Sequence, residues 1–323
     1  MTLRDDQGLL PEAPPDVSCY TTNLLGYLTA DVPDAGDRLA RSVRLAVRTD
    51  LPPGELAFSH HARVDRTADG RELAYRGAAD WPGARAGLRD ALNRDGRVLA
   101  VAGTARLPWS PAYGRADAPH WVLIHDYRAA RWLMADHFMA LTPYGEQRPH
   151  LGWLDDAELA GVLALGTDSP PEIVRRDRLA LGSEVPLPSI GPYRWLMRIP
   201  AETGTSDPEP GPGQWIQETV RSLAHVRAVM AAHPDAIGRY TDDLWAAARH
   251  HAYALARAVA EGTADPTVHQ AASAAWAELP RAMRFAAQSA GRGRPRPGVV
   301  DRAFTQLIAA GRALPGTGAP DGG

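Results

Sequence analysis

The sequence predicts an α+β protein with an all-helical C-terminal region, on three observations. Helix-like and strand-like hydrophobic patterns alternate over the first 200 residues. A loop-forming run, Ala-Glu-Thr-Gly-Thr-Ser-Asp-Pro-Glu-Pro-Gly-Pro-Gly at 201–213, then interrupts the chain. Beyond it lie Ala-rich segments with apolar residues at helical spacing, such as Ile216, Val220, Leu223 and Val226. The length of 323 residues gives a soft prior of about two domains.

Taken in order, residues 1–15 are polar and Pro-rich and read as a frayed arm. From Cys19, the residues Tyr20, Leu24, Tyr27 and Leu28 recur at i, i+4, i+7 and i+8, which predicts a helix with Asp16 or Ser18 as N-cap. A second helix is expected from Asp34 to about Val47, and a third from Pro82 to Asn93, stopped near Gly96. Arg97 to Ala102 reads as a buried strand. A Pro/aromatic loop, 107–113, precedes two aromatic and branched runs, 120–127 and 131–136, expected to form a hairpin. After the loop at 201–213, helices are expected over 214–232, 241–260, 266–289 and 299–314, and a disordered tail over 315–323. The expected domains are thus an α/β domain over 16–200 and an all-helical one over 214–314.

Composition excludes several functions. The lone cysteine, Cys19, rules out an internal disulfide, a CxxC redox pair and a Cys-rich zinc site. The net charge of −3 argues against nucleic acid, although all 35 basic residues are arginine. Residues 1–15 lack a signal-peptide core, and no apolar run approaches the ~18 residues of a membrane span. A cytoplasmic protein is expected, and a homodimer is compatible with the sequence.

The hairpin carries the sharpest inference. With its turn centred at residue 128, His120 faces Asp136, Val122 faces Met134 and Ile124 faces Trp132, all on one sheet face. A carboxylate bound to one ring nitrogen leaves the other free as a base. Cys19 supplies the complement: the first turn of a helix, with its unpaired N–H groups, favours a thiolate and can bind an oxyanion. A nucleophile at a helix start with His and Asp on a downstream strand pair is a papain-like arrangement.

The run Asp16-Val-Ser-Cys19-Tyr-Thr-Thr-Asn-Leu-Leu-Gly-Tyr-Leu28 resembles the nucleophile helix of the butirosin-biosynthesis acyltransferase family. Leu107-Pro-Trp-Ser-Pro-Ala-Tyr113, Pro119-His-Trp-Val-Leu-Ile124 and Trp132-Leu-Met-Ala-Asp136 resemble its Leu-Pro-aromatic loop, His strand and Asp strand. The likeness covers about residues 16–140. It implies a papain-like cysteine-peptidase fold, related to the bacteriocin-processing peptidases, with a helical C-terminal region. It also implies acyl transfer from a carrier-protein thioester, through Cys19, to an amine in a natural-product pathway, with His120 as base and Asp136 as its orienter. The donor would be phosphopantetheine-linked, and no cofactor or metal is implied.

Papain-like peptidases place an oxyanion glutamine about six residues before the cysteine, where this chain has Ala13. The Cys19 N–H is expected to serve instead, with Asn23 one turn along as a second donor. Trp109, Tyr113 and Trp121 are candidates for an acyl or acceptor pocket. Arg281, Arg284, Arg292, Arg294 and Arg296 form a basic stretch that could dock an acidic carrier protein, or be a solvated surface. The chemical rival is a metal site built from His120, His125, Asp126, Asp136 and His137. It is disfavoured because His125 and His137 point to the opposite strand face. His60-His61 and His250-His251 read as surface pairs. The functional rivals are a thioesterase or cyclase using the same triad, and a non-catalytic carrier- or ligand-binding protein.

Overall fold

The computed structural model describes residues 15–166, 169–201 and 210–314. The expected arm, tail and most of the loop at 201–213 lie outside these residues. The described chain is α+β with antiparallel sheets. Its elements run in the order α1 (Cys19–Leu28), α2 (Ala35–Ser42), β1 (Val43–Arg48), β2 (Phe58–His61), β3 (Arg71–Ala78), α3 (Trp81–Asp95), β4 (Val98–Gly103), β5 (Pro119–Arg128) and β6 (Arg131–Asp136). There follow β7 (Ala140–Thr142), β8 (Gly145–Gln147), β9 (His150–Asp155), α4 (Asp156–Leu163), α5 (Pro171–Leu179) and β10 (Tyr193–Pro200). The last elements are β11 (Trp215–Ile216), α6 (Thr219–Ala232), α7 (Ala236–Arg239), α8 (Thr241–Ala260), α9 (Pro266–Gly291) and α10 (Pro297–Arg312).

The chain folds into two units. The first is drawn from the stretches Met1–Gly36, Asp65–Ala180 and Val185–Thr205. Its six-stranded sheet has the order β3-β10-β4-β5-β6-β9, every neighbouring pair antiparallel. β4 is buried along its whole length, as its unbroken apolar run requires. One face of the sheet packs on α3 and α4 through Leu88, Leu92, Val122, Ile124, Met134 and Leu159. Helix α3 starts on the Asp80 side chain, and it stops, as its sequence predicts, at Gly96 in the left-handed conformation (φ 71°).

The second unit is drawn from Asp37–Val64, Leu181–Glu184 and Ser206–Gly323. Helices α6 to α10 pack around Leu223, Val226, Leu244, Trp276, Met283 and Phe304. This unit is not all-helical. It contains a three-stranded sheet, β11-β1-β2, whose Leu45, Val47 and Phe58 join the helical core. The expected boundary between 16–200 and 214–314 is therefore corrected, because a hairpin from early in the chain belongs with the late helices. The expected helix 34–47 is corrected with it. It ends at Ser42, and Val43-Arg-Leu-Ala-Val-Arg48 pairs as a strand with both β2 and β11. Likewise, the start of the expected helix 214–232 is the short strand β11, and α6 begins at Thr219.

The histidine pairs expected at the surface are not there. His61 and His250 are buried. The His60 ring stacks on Phe58 and on His250, with centroids 6.2 and 5.6 Å apart. His61 lies 5.7 Å from His250, and His251 stacks on Trp276 at 4.1 Å. A neutral imidazole is flat and partly apolar, so aromatic walls accept it. Among the described residues no group of His, Cys, Asp or Glu is arranged to hold a metal ion, and no helix is long and apolar enough to cross a membrane.

Candidate active site

Helix α1 begins where its sequence says it should. Ser18 has extended backbone (φ −66°, ψ 162°), and its hydroxyl accepts from Thr21 N, so Ser18 rather than Asp16 is the N-cap. Cys19 is thus the first helical residue, and it is half-buried. α-Helical geometry leaves the first-turn N–H groups without intrahelical acceptors, so the helix start presents donors and a positive dipole end beside the sulfur. The next residue pins this turn: Tyr20 OH donates to Asp177 Oδ1 at 2.5 Å, and its ring lies 5.0 Å from Trp121. Arg194 Nη1 donates to the other Asp177 oxygen at 2.9 Å. Further along α1, Gly26 lets the helix approach the sheet, since a Cβ there would sit 2.3 Å from the His137 ring.

The β5–β6 hairpin brings His120 and Asp136 together by a different register from the expected one. Its turn is the two residues Ala129-Ala130, both at positive φ (48° and 59°), and not a turn centred on Arg128. Next to the turn, Tyr127 faces Trp132 and Asp126 faces Leu133. Continued unchanged, that pairing would put Asp136 on the face opposite to His120. The ladder shifts by one residue between Ile124 and Asp126, leaving His125 as a bulge, after which Ile124 faces Met134. The bulge returns Asp136 to the face of His120, as a diagonal rather than a direct neighbour.

From there the two side chains meet. His120 Nε2 and Asp136 Oδ2 are 2.9 Å apart, and both residues are buried. Cys19 acts electrostatically on the same imidazole. With Nε2 committed to Asp136, Nδ1 is the nitrogen left for the sulfur. Burial by itself pushes the imidazole toward its neutral form. The Asp136 charge, then Cys19, outweigh it and raise His120 to about 10. Asp136 responds in the opposite sense: burial opposes its charge, but His120 holds it below the usual carboxylate range.

Asp136 is unusually well supplied with donors. Trp109 Nε1 donates to Oδ2 at 3.0 Å, and Gln147 Nε2 to the same oxygen at 3.4 Å. Asn23 Nδ2 and the Phe138 N–H donate to Oδ1 at 3.1 and 3.0 Å. These bonds stabilise the charged carboxylate and fix its plane.

Two expected roles change accordingly. Asn23 is not aimed at an oxyanion beside Cys19. It is fully buried, its amide N–H groups face Cys19 O, Trp121 O and Asp136, and its oxygen accepts from His137 N. It ties helix to sheet. Trp121, expected in a pocket, is fully buried on the other strand face from His120, against Tyr20 and Tyr75. Trp109 turns its polar edge to Asp136, while Tyr113 on the same loop is exposed. His125 and His137 stack with centroids 6.4 Å apart and do not join His120. The arginines at 281, 284, 292, 294 and 296 belong to the second unit. Arg281 pairs weakly with Glu278 (3.9 Å), Arg284 lies over Trp245, and the other three are exposed.

Gln147 and His150 were missed by the sequence reading. Gln147 donates to Asp136 and His150 lies across the ladder from it, through the pairing of β7–β8 and β6–β9, which no local pattern announces. Compared with known proteins, the chain matches no family model and no curated protein sequence.

Proposed function

We propose that the protein is a cysteine-dependent acyltransferase of papain-like architecture. It moves an acyl group from a carrier-protein thioester to an amine. The Cys19 thiolate attacks the thioester carbonyl, and collapse of the adduct forms acyl-Cys19. The carrier thiol leaves with the proton from His120. The amine then attacks the new thioester, His120 takes its proton, and Cys19 is expelled as thiolate. First-turn N–H groups of α1 face the developing oxyanion.

The observation that carries this reading is the buried His120–Asp136 pair at 2.9 Å, with Cys19 acting on the same imidazole from a helix N-terminus. That arrangement also weighs against a non-catalytic binding protein, which has no need of a charged imidazole beside its thiol. A second observation bears on the acyl group. Tyr113, Leu141 and Tyr144 are exposed, and they sit on the loop and hairpin that also carry the Asp136 donors Trp109 and Gln147. Such a grouping suits an apolar acyl chain.

Intact-protein mass spectrometry with acyl-carrier substrates tests the proposal. Wild type gains one acyl mass, removable by an added amine, and Cys19→Ala gains none. Because the chain has no lysine, the N-terminal amine is the main competing acceptor. Absence of the adduct in wild type, or full turnover by Cys19→Ala, would refute it. Release without an amine would assign the thioesterase reading instead.

A further inference from the structure

His150 opens β9, directly opposite Asp136 on β6. Its ring lies face to face with Trp109, with centroids 4.1 Å apart and planes 8° from parallel. Trp109 belongs to the loop at 107–113, outside regular structure, yet its Nε1–H must hold a fixed line to Asp136 Oδ2. That oxygen also receives His120 Nε2. The backbone makes room for the stacked ring: a Cβ at Gly152 would lie 2.9 Å from His150 Nε2, so the glycine admits the imidazole. Burial pushes His150 below its ordinary range against the pull of Asp136, which suits a neutral ring on an indole face.

We infer that His150 is a positioning residue for the Cys19 site, clamping Trp109 so that the indole N–H stays on the carboxylate oxygen shared with His120. The inference rests on the reading of Cys19 as the nucleophile. Without the clamp, the loop residue loses its fixed orientation and Asp136 loses a donor. The charged His120–Asp136 pair is then less favoured. His150 itself touches neither sulfur nor substrate.

Two readouts on the full-length protein test it, with wild type, His150→Ala and His150→Phe. The first is hydrogen exchange of the Trp109 indole N–H by NMR, assigned with Trp109→Phe. His150→Ala lowers its protection about three- to tenfold, and His150→Phe, which keeps a flat ring, restores it. The second is the pH profile of iodoacetamide alkylation of Cys19. His150→Ala moves its acidic limb upward, and His150→Phe returns it. Unchanged protection in His150→Ala overturns the clamp, and so does failure of His150→Phe to restore it when circular dichroism shows both variants folded. Lost protection with an unmoved alkylation limb overturns its link to the site. A wild-type thiol that reacts like a free cysteine refutes the nucleophile reading itself, and indole exchange still decides the clamp.

Discussion

His120 in the first unit and His250 and His251 in the second answer burial in opposite ways. In the first unit His120 is raised to about 10. In the second, His250 is pushed well below the ordinary histidine range by burial and by His60 and His61, and His251 falls to about 3. Burial acts in the same direction on all three. One difference is the neighbour: the Asp136 carboxylate raises His120, whereas neighbouring imidazoles lower His250 and His251 further. One imidazole between an anion and a sulfur makes a site where charge can be moved.

The largest expected effect follows from removing that difference. Asp136→Asn leaves His120 with burial as its main influence, so its pKa drops below 6.5 by NMR titration. Alkylation of Cys19 at pH 6 slows on the order of 10²-fold. Breaking the buried pair also costs about 3–5 kcal/mol in urea unfolding. An imidazole that stays charged at neutral pH in Asp136→Asn would show that the carboxylate is not its cause.

Next comes the acid response of the second unit. His250 and His251 have lowered pKa values in the folded state, so the unfolded chain takes up protons first. Their contribution to stability is present above about pH 6.5 and is lost as pH falls toward 3. From pH 6.5 to 4.5 the loss is about 2 kcal/mol for one such group. His120 runs the other way: its contribution is full below pH 6.5 and is lost as pH rises through about 10. Hydrogen exchange of peptides from α8 and α1, corrected for intrinsic rates, separates the two, with α8 loosening in acid and α1 in base. The contrast collapses if both respond alike, or if His251→Gln leaves the acid limb of α8 untouched.

The smallest effect tests the register. The Ala129-Ala130 turn holds two alanines at positive φ, where Asn-Gly is the favoured pair. Replacing them by Ala129→Asn and Ala130→Gly should add about 0.5–1 kcal/mol of stability. Cys19 alkylation should not change, since the bulge at His125, and not the turn residues, sets the face of Asp136. A changed alkylation rate would move that role to the turn.

Local chemistry was readable in advance. Ser18 as a cap, Gly96 as a stop, the apolar run of β4 and the span of α8 all depend on residues within a few positions of one another. The hairpin was half readable. The pairing of His120 with Asp136 on one face was expected for the wrong reason, because a turn centre placed too early in the chain ignored a bulge that restored the face. Strands β3, β9 and β10 were not anticipated at all: their polar and half-exposed residues carry no strong period.

By itself, then, the sequence determined the helix that carries Cys19, the two strands that carry His120 and Asp136, and the helical C-terminal part. These follow from caps, propensities and periodicity, which act over a few residues. Only the tertiary structure decided that residues 43–61 join the late helices, that Asn23 and Trp109 serve Asp136, that Gln147 reaches it and that His150 lies across the ladder from it. It also decided that a carboxylate outweighs burial at His120, while burial prevails at His250 and His251. Those outcomes depend on strand pairings between distant residues and on which charge is buried beside which, and neither is encoded in any local stretch of chain.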